Sequence, residues 1–210
     1  MVVQIVVSVI TAVAAIIALI ISVVQISKSN KQALFDRRLN AVLTVRWMML
    51  LCKQHAESCK EYLVKLEEGP IVNMAQFFKD MTNTHFFEDV QDIIDSTQDV
   101  ERRRIYIKKM EELRGLSTEI TLIFPPNIGY EIADFVYYYS EMLVFMFKYQ
   151  SCYDWIIAKC AGENVGQDKN NDLLFSNWKQ MMNYMKGTFE LYKKLEKDFV
   201  LKKAESKIKL

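Results

Sequence analysis

The chain is poor in residues that break helices and in residues that carry nucleophilic chemistry. Its 210 residues include six glycines, three prolines and two histidines, and the first helix breakers are Gly69 and Pro70. Long helices are therefore expected. Two histidines leave little from which to build a Ser-His-Asp or Cys-His catalytic set. Glycine-rich phosphate loops, H-E-x-x-H and G-x-S-x-G motifs are all missing, so we expect neither enzymatic activity nor a cofactor.

Charge is missing from residues 1–27, and the first charged side chain is Lys28. A helix from Val2 to Ile26 would be roughly 37 Å long, enough to cross a hydrocarbon core of ~30 Å. A cleaved signal peptide would need a cationic start, a shorter apolar run and a small-x-small site near its end. The single Ala-x-Ala, at residues 12–14, lies in the middle of the run. The sequence therefore predicts an uncleaved transmembrane helix over residues 1–27.

The polar residues between Val2 and Ile26 follow one stripe, and Ala15 and Ala18 fill the gap in it between Thr11 and Ser22. They advance by alternating steps of four and three, which is a 3.5-residue period. The stripe consists of Gln4, Ser8, Thr11, Ala15, Ala18, Ser22 and Gln25. Contact of such a stripe with lipid is not favourable, whereas contact with a neighbouring helix or a water-filled lumen is. The pattern predicts pore lining or helix packing, and it leaves both open.

Basic residues follow the run, with Lys28, Lys31, Arg37 and Arg38 just beyond it. The positive-inside rule places the short N-terminus outside and the C-terminal domain in the cytoplasm, as a single-pass protein of the lipid bilayer. The four cysteines would then lie in a reducing compartment, where disulfides are not expected. The net charge of +1 provides no general basic field to attract nucleic acid.

The rest of the chain predicts an all-α fold, because no alternating strand pattern occurs. We expect one helical domain of about six helices over residues 28–204 and a Lys-rich tail over 205–210. The predicted helices cover 33–68, 73–81, 84–95, 99–114, 128–149 with a continuation at 152–160, and 172–204. Residues 117–124 fit either a helix or a strand, and 162–171 form a predicted surface loop. Ser27–Asn30 fit either a capped break or a continuous helix.

The apolar run 135–147 is a second candidate for a membrane span. It is bounded by Asp134 and Lys148, and it contains Glu141 and three consecutive tyrosines. Its uninterrupted length falls short of about 18 residues, so a buried core helix is the preferred interpretation.

Two further groups of residues are candidates for ligand contact. Arg102, Arg103, Arg104, Lys108 and Lys109 are candidate contacts to phosphate on a lipid or an oligonucleotide, although a solvated basic surface is the simpler interpretation. Direct nucleic-acid binding stays open. Cys52, His55 and Cys59 share a helix face and, with Cys152 or Cys160, have the chemistry of zinc ligands. The chain has no close cysteine pair, so buried thiols without a metal are preferred.

The sequence Leu34-Phe35-Asp36-Arg37-Arg38-Leu39 directly follows the predicted span. With it, about residues 1–50 resemble a class of small bacterial membrane proteins in which one N-terminal helix leads through such a motif into a cytoplasmic helical domain. In size and layout the chain is similar to the membrane effectors of the Hailong anti-phage system. That resemblance implies a homo-tetrameric ion channel of the bacterial inner membrane. It also implies a nucleotidyltransferase partner that answers to a short DNA oligomer and keeps the channel closed.

The motif has a physical role that is independent of the resemblance. We expect Lys28, Lys31, Phe35, Asp36, Arg37 and Arg38 to couple the membrane helix to the domain. Asp36 is expected to pair with Arg37, Arg38 or an arginine of a neighbouring copy, while the apolar side chains contribute most of the packing. The leading hypothesis is a homo-oligomer gated through its cytoplasmic helices. The alternative is a non-conducting anchored scaffold or binding module.

Overall fold

The computed structural model describes residues 2–69, 72–160 and 167–208, with side chains described within 13–69, 72–157 and 172–208. The protein is 89% helical, and the described residues contain no strand. The helices in order are α1 (Val2–Gln54), α2 (Ala56–Glu68), α3 (Ala75–Met81), a 3₁₀ helix (His85–Asp95), α4 (Val100–Ile123), α5 (Pro126–Cys160), α6 (Gln167–Lys197) and α7 (Val200–Glu205). The predicted fold class, one long apolar N-terminal helix followed by several more helices, is confirmed.

α1 is a single helix of 53 residues, roughly 80 Å long at 1.5 Å per residue. It passes through Ser27–Asn30 without a break, which settles the open alternative in favour of continuity. The predicted helix over 33–68 is divided at His55, where α1 ends and α2 begins. Backbone hydrogen bonds still bridge the junction, from His55 N to Leu51 O (3.0 Å) and from Cys59 N to His55 O (2.9 Å). The helical hydrogen bonding therefore continues across the junction.

α4 is longer than the sequence predicted. Its start is capped as expected, since Asp99 Oδ1 accepts a hydrogen bond from Arg102 N at 3.0 Å. The predicted end at residue 114 was wrong, because the helix continues through Gly115 and includes 117–123. A glycine weakens a helix interior by only about 1 kcal/mol, which packing readily offsets. The extended Phe124 and Pro125 end it instead.

The C-terminal part differs from prediction at both ends of α6. Residues 162–166 of the predicted loop lie outside the described residues, and 167–171 belong to the helix. The predicted helix over 172–204 is interrupted after Lys197. Phe199 adopts the left-handed conformation (φ 52°), which redirects the chain into α7.

α5 forms the centre of the domain and packs between α4 and α6. Its apolar run is core, as preferred from the sequence, with Phe135, Tyr139, Met142, Leu143, Met146 and Tyr149 fully buried. Two of its tyrosines bond to backbone carbonyls: the Tyr139 hydroxyl donates to Met81 O, and the Tyr149 hydroxyl donates to Val72 O at 2.9 Å. Gln150 Oε1 accepts from Met74 N at 2.9 Å. These bonds attach the segment around α3 to α5.

Candidate functional site

The first half of α1 is not part of the domain core. None of residues 13–40 is buried, and the most apolar 18-residue window of the helix has no residue buried within the chain. Its exposed side chains include Val13, Ile16, Ile17, Leu19, Ile20, Ile21, Val23, Val24 and Ile26. Burying a side chain of this size is favourable by about 1.5–3 kcal/mol. The helix is long and apolar enough to cross a membrane, consistent with single-pass anchoring.

The predicted stripe is exposed wherever the structure describes it. Ala15, Ala18, Ser22 and Gln25 all lie on the solvent-accessible part of α1. The Ser22 hydroxyl donates to Ala18 O at 2.8 Å, so its hydrogen bond is made within the helix. The side chains of Gln4, Ser8 and Thr11 lie outside the described residues.

Two arginines join α1 to the domain at the level where burial begins. Arg37 Nε donates to Glu119 Oε1 at 2.5 Å. Arg38 Nε donates to Ile123 O at 2.7 Å, and Arg38 Nη1 donates to Lys207 O at 3.0 Å. Ile123 is the last residue of α4, so Arg38 places a cation at the negative end of that helix dipole. Arg38 thereby holds α4 and the chain after α7 against α1.

The other predicted coupling residues differ in their environment. Phe35 is half-buried, whereas Lys28 and Lys31 are exposed. Within the described part of the chain Asp36 has no ion-pair partner, because both adjacent arginines bind elsewhere. Pairing of Asp36 with an arginine of a neighbouring copy stays a prediction.

The C-terminal segment lies alongside α1. Arg46 forms an ion pair with Glu205, and Lys53 Nζ lies 3.7 Å from Glu196 Oε1. Together with Arg38 and Lys207, these contacts run antiparallel to α1. Residues 205–208 of the predicted tail are therefore seated on α1, while 209–210 lie outside the described residues. The buried Val200 and Ala204, four residues apart, were the available sequence signal.

One face of α1 that sequence reasoning did not single out is exposed and apolar. Leu43, Trp47 and Leu50 are 41%, 51% and 38% exposed, although the adjoining Val45 and Met48 are buried. In a regular helix Leu43 lies directly in line with Gln25, because 18 residues make five turns. We call the set Ala15, Ala18, Ser22, Gln25, Leu43, Trp47 and Leu50 the outer face of α1. The set occupies a sector of about 100°, opposite the side that packs on the domain.

The five predicted phosphate contacts on α4 do not converge. Arg102 Nε lies 3.7 Å from Asp99 Oδ2, and Lys109 Nζ lies 3.1 Å from Glu112 Oε2. Arg103 turns inward, where its Nη2 donates to Thr97 O at 2.8 Å. Arg104 and Lys108 are exposed. Contact of these residues with phosphate on a lipid or an oligonucleotide stays a prediction.

The candidate zinc ligands differ in their burial and in their hydrogen-bond partners. Cys52 and Cys59 are buried, and neither forms a disulfide. Burial raises the pKa of both, that of Cys59 to about 12, so they stay protonated. His55 Nδ1 lies 3.8 Å from Asp80 Oδ2, and Cys152 Sγ accepts from Asn177 Nδ2 at 3.4 Å. The Cys160 side chain lies outside the described residues.

Comparison of the chain with protein-family models, with curated proteins and with solved structures finds no match.

Proposed function

We propose that the protein is a homo-oligomeric effector of the bacterial inner membrane, in which several copies of α1 pack around one axis and form an ion channel. The observation that carries the proposal is the outer face of α1. It runs along one helix from the membrane segment into the domain and is left uncovered by the chain over its whole described length. Its small or polar part lies in the predicted span, and its apolar part lies beyond it.

A second copy of the chain is the occupant that suits both parts of this face. The membrane fixes the depth and direction of α1, so parallel copies present the same residues at the same level. Small residues such as Ala18 allow helices to approach closely in lipid. Leu43, Trp47 and Leu50 would gain burial from the same contact.

Two positive charges beside the outer face are already paired within the chain. Arg46 and Lys53 flank the apolar part, and each forms an ion pair within its own chain, with Glu205 and Glu196 respectively. Copies that meet along the outer face would therefore bring little unpaired positive charge together.

The arrangement would give a pore with an apolar constriction below it. Ser22 and Gln25 would line the membrane part of the axis, together with Gln4, Ser8 and Thr11. Leu43, Trp47 and Leu50 would narrow the cytoplasmic part, where apolar side chains can close a pore by excluding water. Arg37 and Arg38 would transmit movement of the domain to α1. The resemblance in size and layout to the Hailong membrane effectors supports four copies, a nucleotidyltransferase partner and a role in anti-phage defence through membrane depolarisation.

Assembly is tested by the mass of the full-length chain in detergent. We expect an oligomer for the wild type and a smaller species when Leu43, Trp47 and Leu50 are all replaced by serine. The matched control replaces Val64, Val100 and Leu173 by serine, since these are also exposed and apolar but lie on other helices. A monomeric wild type, or equal masses for both triple variants, would contradict the proposal.

Conductance is tested separately by ion leakage from liposomes. Replacing Ala15 and Ala18 by leucine should change the leakage, and Ile16→Leu on the opposite side of α1 should leave it unchanged. An oligomer that leaks no ions in any variant would support the anchored scaffold and exclude the channel.

A further inference from the structure

A cavity of about 260 Å³ lies between α4 and α5. Tyr106 and Phe147 form part of its apolar wall, with their ring centroids 4.7 Å apart. Arg103, Arg114, Lys148 and Glu111 provide the charged part of its lining. Aromatic surface beside several cations is the composition of a site for a small anion that carries an apolar group.

Two buried polar atoms at the cavity have no hydrogen-bond partner among the described residues. They are the Tyr106 hydroxyl and Arg103 Nε. Tyr106 is only 3% exposed, and a buried donor without an acceptor is unfavourable. Burial raises the pKa of Tyr106, so the hydroxyl keeps its proton and stays a donor at neutral pH. Two residues that line the cavity therefore each carry a hydrogen-bond donor that the chain leaves unused.

The charge balance favours an anion. Arg114 is already engaged, because its Nε and Nη2 both donate to Glu141 Oε1. Arg103 gives one hydrogen bond to Thr97 O and keeps its charge without a carboxylate partner. Lys148 Nζ lies 4.6 Å from the centre of the Phe145 ring. Arg103 and Lys148 together outweigh Glu111, so the lining carries a net charge of about +1.

The position of the cavity favours a soluble ligand over a lipid headgroup. Arg103 lies 20 residues before Ile123 on α4, roughly 30 Å along the helix from the contact with Arg38. Tyr106 also lies near the far end of the α1 helix, because it contacts Phe78 of α3 (6.3 Å between ring centroids) and α3 meets His55 through Asp80. The cavity is thus in the part of the domain far from the apolar half of α1.

We propose that this cavity binds a small soluble organic phosphate. The phosphate accepts hydrogen bonds from the Tyr106 hydroxyl and Arg103 Nε, with Lys148 as a second cation, and the apolar group of the ligand rests on Phe147. Binding at this site does not depend on the proposed channel. Because α4 also holds Arg37 and Arg38 through Glu119 and Ile123, the ligand contacts the helix that supports the base of the membrane segment.

The test is calorimetric titration of the full-length protein in detergent with phenyl phosphate, inorganic phosphate and phenol. Phenyl phosphate should bind most tightly, because it alone has both chemical parts. Tyr106→Phe and Arg103→Gln should each weaken it by about tenfold, the loss of one hydrogen bond to a charged group. Arg104→Gln is the matched control, since Arg104 is the exposed neighbour and does not line the cavity.

Thermal unfolding separates a binding role from a structural one. Tyr106→Phe should not lower the melting temperature without ligand, because the hydroxyl has no partner to lose. No binding of phenyl phosphate in the millimolar range would overturn the proposal. Equal affinity for phenol, or equal affinity of the Tyr106→Phe and Arg104→Gln proteins for phenyl phosphate, would also overturn it.

Discussion

α1 and α5 are the two longest helices, with 53 and 35 residues, and both are strongly apolar. α5 is enclosed by α4 and α6, whereas residues 13–40 of α1 contain no buried position. On α5, Glu141 pairs with Arg114 and the Tyr139 hydroxyl donates to Met81 O, both within the domain. The polar residues of α1 between Val2 and Ile26 are uncharged and follow one stripe. The placement of polar groups therefore distinguishes a core helix from a membrane helix better than apolar content does.

The largest expected effect on the free energy of unfolding comes from truncating a large apolar side chain to alanine, compared between the two helices. Phe135→Ala in α5 removes a fully buried ring and should lower the free energy of unfolding of the domain by about 3–5 kcal/mol. Ile16→Ala in α1 removes an exposed side chain and should leave that free energy nearly unchanged. Urea titration in mild detergent, followed by tryptophan fluorescence, measures both. Equal effects of the two substitutions would contradict the assignment of α5 to the core and of Ile16 to a surface outside it.

A smaller effect is expected at the junction between the two regions. Arg38→Ala removes bonds to two backbone carbonyls and should cost about 1–3 kcal/mol. It should also speed amide hydrogen exchange over residues 200–208. Arg37→Ala is the control, because its ion pair with Glu119 is largely exposed and is expected to contribute less than about 1 kcal/mol. Faster exchange in both variants alike would mean that Arg38 has no special role in holding the C-terminal segment.

The smallest expected effect concerns the thiols. Burial raises the pKa of Cys59 to about 12, so its thiolate fraction at pH 8 is very low. Iodoacetamide should modify the half-buried Cys152 faster than Cys52 or Cys59 in the folded chain, and all three alike in urea. Peptide mass spectrometry resolves the sites. Rapid modification of Cys59 without denaturant would contradict this expectation, because it would mean that the thiol is readily exposed at the junction of α1 and α2.

The sequence allowed the fold class, the long apolar N-terminal helix and the Asp99 cap to be predicted, because each depends on local pattern. Two predicted helix boundaries were wrong. α4 continues past Gly115 because packing offsets the cost of a glycine, and the left-handed backbone conformation of Phe199 separates α6 from α7. The bond from Arg38 to Ile123 O joins residues 85 apart and has no local signal.

The outer face of α1 was only partly predictable. Leu43, Trp47 and Leu50 continue the steps of four and three, but apolar residues on a helix are normally assigned to the core. Their exposure depends on which side of α1 the domain covers, and only the folded chain determines that side. The cavity at Tyr106 was hidden for the same reason, because the inward turn of Arg103 depends on Thr97 and α5.

Disulfide cross-linking along α1 in native membranes tests the central claim most directly. Single substitutions Ser22→Cys, Gln25→Cys, Leu43→Cys and Leu50→Cys place a thiol on the outer face, and Ile16→Cys and Ile20→Cys place one on the opposite side. With the wild-type chain as background, we predict cross-linked dimers at the first four positions and little at the other two, because a disulfide needs Cα atoms within about 7 Å. Cross-linking that is absent on the outer face, or equal on both sides, would contradict the proposed assembly.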